Sequence, residues 1–194
     1  MDPASPRTPG GPFQIVGIAG SLRRASFNRA LLRAATELAP ATLRITTHDL
    51  IEVPLYNGDV ESVEVPRAVL ALREAVQAAD GLLIATPEYN HGVPGVLKNT
   101  IDWLSRPPRA SALNGKPAAI MGATPGMGGT ARGQSQLRQA FVFTNTYAMA
   151  QPELLVAKAN EKFDASGTLT DQPTREFLGK FLAAFAAWVQ RFAA

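Results

Sequence analysis

Leu82 to Ala85 are apolar at four successive positions, with no polar residue in alternation. A strand of that kind has no face to turn to water, so it belongs inside a parallel sheet covered by helices on both sides. Phe13 to Ala19, ending at Gly20, and Pro117 to Gly122 read as further buried strands. Leu43 to Leu50 and Thr144 to Val156 supply two more, the last confused at its limits by Pro152. Helical periods lie between and after these runs. Ser26 to Ala39 carries Leu31, Leu32, Ala35 and Leu38 on one face behind an N-capping serine. Pro66 to Ala79 opens with proline in its first turn and is followed by Asp80 and Gly81. Pro94 to Leu104 is stopped by Pro107 and Pro108, and Arg132 to Phe143 follows. Pro173 to Phe192 closes the chain as a core-facing helix, with Phe177, Phe181, Phe185, Trp188 and Phe192 on one stripe. Ile51 to Glu64 and Asn160 to Thr170 read as loops. Strands and helices thus alternate, which predicts a three-layer α/β domain around a five-stranded parallel sheet. Right-handed crossovers allow either a flavodoxin-like or a Rossmann-like strand order, and both place ligands at the carboxyl ends of the strands.

The domain is expected to span residues 13–194 of the 194, with residues 1–12, rich in proline and glycine, as a disordered tail. The tail has no apolar centre, so it is not a secretory signal. No cysteine is present, which excludes disulfide scaffolds, thiol nucleophiles and Cys-ligated metals. His48 and His91 are the only histidines, so no metal site is predicted. A net charge of +3 is scattered along the chain and is not a nucleic-acid footprint. Phe177 to Ala194 is interrupted by Lys180, Gln190 and Arg191, so no membrane span is predicted, and the cytoplasm is the expected location.

Three loops fall at the carboxyl ends of the strands. In the first, Gly20 to Asn28, Ser21, Ser26 and Asn28 offer short polar side chains and Arg23 and Arg24 offer charge. The helix N-terminus behind them adds free N–H groups and a positive dipole end, which suits a phosphate monoester. The loop matches neither G-x-x-x-x-G-K-[ST] nor G-x-G-x-x-G, so a mononucleotide fits better than ATP hydrolysis or a dinucleotide. The second loop, Thr86 to Gly95, is stiffened by Pro87 and Pro94, and Tyr89 offers a flat face. The third, Thr124 to Thr130, is bare peptide over much of its length. A planar heterocycle bearing a phosphate is the ligand these loops suggest. Lys98 and Asp102 are spaced for an ion pair on one helix face, and Trp103 is read as packing or subunit contact.

Gly20 to Arg23 with Ser26 and Asn28, Pro87 to Asn90, Pro94 to Asn99 with Asp102 and Trp103, and Pro125 to Gly129 together resemble the NADPH-dependent FMN reductase family. The resemblance implies a flavodoxin-like sheet of order 2-1-3-4-5 that binds FMN. It implies hydride transfer from NADPH or NADH through FMN to a small acceptor of quinone, azo, flavin or chromate type. Carried over, Ser21, Arg23, Ser26 and Asn28 hold the phosphate with Phe27 alongside. Pro87, Glu88, Tyr89 and Asn90 flank the isoalloxazine, and Thr124, Gly126, Gly128 and Gly129 line its other edge. No side-chain acid or base is needed, so no catalytic side chain is assigned. The family also implies a homodimer or homotetramer. Gly92 stands where the family often has serine, and Thr124 where serine is frequent. A flavodoxin-like electron carrier and an FMN-binding sensor share this fold, but carriers are usually strongly acidic, and this chain is not.

Overall fold

A computed structural model describes residues 11–193. Most of the expected N-terminal tail therefore lies outside the described residues. The elements run β1 (Phe13–Ala19), α1 (Phe27–Glu37), β2 (Leu43–His48), α2 (Gly58–Val63), α3 (Arg67–Ala78), β3 (Gly81–Ala85), α4 (Gly95–Leu104), β4 (Pro117–Ala123), α5 (Ala131–Thr144), β5 (Tyr147–Ala148), β6 (Leu154–Val156) and α6 (Gln172–Gln190). All pairings between these strands are parallel, in the order β2-β1-β3-β4-β5, with β6 also on β4. This is the flavodoxin-like order. β3 is buried at every residue, as an all-apolar central strand must be.

Successive side chains of one strand feed opposite layers. Ile15, Leu83 and Ala85 pack beneath α1 and α6 with Leu31, Phe181 and Phe185. Val16, Leu82 and Ile84 pack beneath α3, α4 and α5 with Val76, Leu97 and Leu137. Ser26 caps α1, its Oγ accepting the N–H groups of Asn28 (3.2 Å) and Arg29 (3.5 Å).

Three local expectations are corrected. The fifth strand is split in two. From Ala118–Ala148 to Met121–Leu154 the edge chain uses five residues where β4 uses two, and Pro152, which has no N–H to donate, lies in that excursion. Within the expected loop 51–64, Asn57 caps a short helix, α2, none of whose residues is buried. The aromatic stripe of α6 is core only at its centre: Phe181 and Phe185 are buried, whereas Phe177 and Phe192 are exposed. Phe192 falls beyond Gln190, the last residue of α6, so its exposure belongs to the chain end and not to the helix face.

The Lys98–Asp102 ion pair forms at 2.7 Å. Trp103 is buried and donates Nε1–H to the Pro54 carbonyl at 2.8 Å. Asn99 donates to the same carbonyl and accepts the Tyr56 N–H at 2.7 Å, so α4 pins the segment after β2. No helix among the described residues is long and apolar enough to cross a membrane.

Phe185 is fully buried between α6 and the sheet. Phe185→Ala is expected to destabilise the chain by about 3–5 kcal/mol through loss of burial and the cavity left behind. Urea unfolding followed by far-UV circular dichroism checks this value.

Candidate functional site

Connections leave the sheet in opposite directions from β1 and β3, because β1 leads to β2 on one side and β3 leads to β4 on the other. The loops that follow them diverge, and a crevice opens between at the carboxyl ends. The three loops singled out in the sequence meet there.

In the first loop, the backbone N–H groups of Ser21 to Ala25 have no acceptor among the described residues. Ser21 is only 4% exposed, and its hydroxyl makes no hydrogen bond among the described residues. Arg23 and Arg24 are exposed, and their guanidinium groups make no ion pair there. The first turn of α1 carries no acidic residue. Ser26 uses its lone pairs for capping, which leaves its hydroxyl hydrogen to donate. These are donors without acceptors beside a positive dipole end, the donor set a phosphate dianion requires. The first loop therefore fits the phosphate of FMN.

Two members of the predicted phosphate set are turned elsewhere. Buried Asn28 donates Nδ2–H to the Ala123 carbonyl (2.8 Å) and accepts the Ala123 N–H on Oδ1 (2.9 Å). Its amide ties α1 to the end of β4, so Asn28 positions the loop. The Phe27 ring packs against Phe163, with centroids 5.6 Å apart, on the core side of α1. Arg29, which the sequence did not single out, pairs with Asp49 at 2.6 Å. Burial pushes the Asp49 carboxyl upward, but the bonds from Arg29 and from the N–H groups of Ile51 and Leu50 outweigh it, and its pKa falls below the ordinary value.

The second loop folds into a hairpin in which Tyr89 and Gly92 exchange both N–H···O bonds (3.1 and 2.9 Å). The two central residues, Asn90 and His91, have φ of 51° and 62°. Positive φ at both central positions is the signature of a type I′ turn. Their N–H groups have no acceptor among the described residues, and Tyr89 is 54% exposed. Pro87 is buried behind the hairpin. Glu88 turns its carboxylate away, toward α5, where Oε2 accepts from Arg132 N (2.9 Å) and Gly133 N (3.1 Å).

In the third loop, Thr124 Oγ1 accepts the Gly126 N–H at 3.3 Å, and Gly126 and Gly128 are exposed. Gly129 is buried with φ of 56°, and a Cβ there would stand 2.7–2.9 Å from Leu155. It serves close packing on β6, which only glycine permits at that φ.

Residues 13–161 match the profile of the NADPH-dependent FMN reductase family. The chain belongs to this family. A second FMN reductase, the NAD(P)H-dependent enzyme of Pseudomonas aeruginosa, is 47% identical over 179 residues, covering 92% of this chain and 96% of that one. A 2-hydroxy-1,4-benzoquinone reductase from Burkholderia sp. is 42% identical over 178 residues, covering 92% and 97%. Among solved structures, the flavoenzyme NAD(P)H:(acceptor) oxidoreductase FerB of Paracoccus denitrificans superposes with a TM-score of 0.84 at 35% identity, over 94% of this chain and all of that one. The expected enzyme class, a flavin-dependent NAD(P)H oxidoreductase, is thereby met.

In this FMN reductase the backbone beside Gly92 is met by a side chain from α5. Gln136 reaches back from α5, and its Oε1 accepts the Val93 N–H at 2.6 Å, in the space a side chain at Gly92 would enter. Sequence reasoning missed Gln136 because it sits on a helix outside all three loops.

Removing the Asn28 amide orphans a buried N–H and a buried carbonyl. Each such group costs about 1–3 kcal/mol, so Asn28→Ala is expected to lose about 2–6 kcal/mol of stability, read by urea unfolding. The Arg29–Asp49 contribution is present above the ordinary aspartate pKa and is lost as pH falls through the lowered folded value. Asp49→Asn is expected to remove that part of the acid dependence, measured as thermal midpoint between pH 6 and pH 2.

Proposed function

We propose that the chain reduces small quinone-type acceptors with NAD(P)H, using FMN held between its three loops. The unpaired donors of residues 21–25 carry this reading, because they stand together just before the N-terminus of α1, where free N–H groups and the helix dipole favour an anion. Ser21, Arg23, Ser26 and the N–H groups of the first loop would take the phosphate. Asn90 and His91 would present N–H groups to the polar edge of the ring, with Pro87 and Tyr89 beside it. Thr124, Gly126 and Gly128 would border the opposite side, and Asn28, Glu88 and Gly129 would hold the loops in place. When bound, FMN supplies the hydride relay between the pyridine nucleotide and the acceptor. The protein's part is orientation and fixed donors for negative charge, which no histidine has to supplement. A cytoplasmic location goes with this reading, since reduced pyridine nucleotide is the electron source.

The reading includes a homo-oligomer. Ile51, Leu55, Val60, Val63 and Leu70 are all exposed, with Leu55 and Val63 at 84% and 87%. Five exposed large apolar residues within positions 51–70 suit burial against a second copy. Sedimentation of the purified chain tests this part.

The test of function is the visible spectrum of the purified protein, identification of the released chromophore, and its bleaching by NADPH and by NADH with a quinone present. Colourless protein that takes up no FMN refutes the reading. Charged hydrogen bonds contribute about 1.5–3 kcal/mol, so Arg23→Ala is expected to weaken FMN binding roughly tenfold to a hundredfold. Quenching of flavin fluorescence on titration measures it.

A further inference from the structure

The second loop and α5 hold each other by side chains that run in both directions. From the loop, Glu88 accepts the Arg132 and Gly133 N–H groups. From the helix, Gln136 accepts the Val93 N–H. One contact lies just before the Tyr89–Gly92 hairpin and the other just after it. Between them the two backbones meet almost bare. A Cβ on Gly133 would stand 3.3 Å from the Pro87 and Gly92 carbonyl oxygens, and one on Gly92 would stand 2.6 Å from Gln136 Oε1.

Both partners need this arrangement. The residue before α5, Thr130, has φ of 70° and makes no side-chain cap bond; the Ala131 N–H is taken by the Gly128 carbonyl, but those of Arg132 and Gly133 would otherwise lack acceptors. Glu88 supplies the cap from another loop. The hairpin carries two non-glycine residues at positive φ, a conformation that persists only where surrounding contacts enforce it.

We propose that Gln136 and Glu88 are positioning residues, which clamp the Tyr89–Gly92 hairpin on α5 and so set where the Asn90 and His91 N–H groups stand toward the flavin. The inference rests on the FMN reading above. It also makes Gly92 and Gln136 a matched pair: the glycine leaves the room that the glutamine fills, and the loop is steadied from the helix.

The test is hydrogen exchange on the full chain, as purified and with added FMN, together with FMN affinity and the flavin midpoint potential. Gln136→Leu keeps size and removes the acceptor, Glu88→Ala removes the cap, and Glu88→Gln keeps one acceptor oxygen. The Val93 N–H in Gln136→Leu, and the Tyr89 and Gly92 N–H groups in Glu88→Ala, are expected to exchange at least tenfold faster. FMN affinity falls about threefold to tenfold in both, converting to a modest loss, and the midpoint potential moves. Glu88→Gln is expected to stay near the parent on every readout. A lowered thermal midpoint with hairpin exchange and potential unchanged overturns the proposal. A parent chain that takes up no FMN overturns the flavin reading instead, and the exchange pattern still decides whether the clamp exists.

Discussion

A parallel sheet covered on both faces leaves backbone polar groups without partners only where its strands stop. β3 admits no water along its length, and its neighbours β1 and β4 are nearly as dry. Everything that could touch a charged ligand is therefore pushed to the strand ends. The reversal of connection direction between β1 and β3 then parts two of the end loops and leaves room between them. The location of the site follows from packing before any functional residue is considered.

Within that crevice the polar groups divide by reach. Longer side chains are turned inward to fix the loops: Asn28 to β4, Glu88 and Gln136 between the second loop and α5. What the first loop leaves unpaired among the described residues is mainly short, made of backbone N–H groups, two serine hydroxyls and the end of a helix dipole, with Arg23 and Arg24 exposed beside them. Such donors lose little freedom on binding, and their supports hold them in place beforehand. A redox site in which the cofactor carries the chemistry needs no more than this.

The segment after β2 obeys a different logic. α2 buries none of its residues, yet Pro54 and Tyr56 are tied to α4 through Asn99 and Trp103, and the Tyr56 ring meets Trp103 edge-on at 4.9 Å. An apolar surface anchored in this way keeps a definite shape, which loose loops do not.

Much of this protein can be read along the chain. The apolar runs, the helical periods and the capping serine specify the layered α/β architecture, because each is a local pattern that any packing must respect. The three loops at the carboxyl ends of the strands are legible too, since they are the segments between one pattern and the next, and the family resemblance supplied the strand order. The split edge strand, the short helix at Gly58–Val63 and the exposed ends of the aromatic stripe were not legible, because edges and helix ends are governed by what packs beside them. The same holds for the roles of Asn28, Glu88 and Gln136. Their partners lie 95, 44 and 43 residues away in sequence, so whether each faces the ligand or the protein depends on contacts that exist only once the chain has closed on itself.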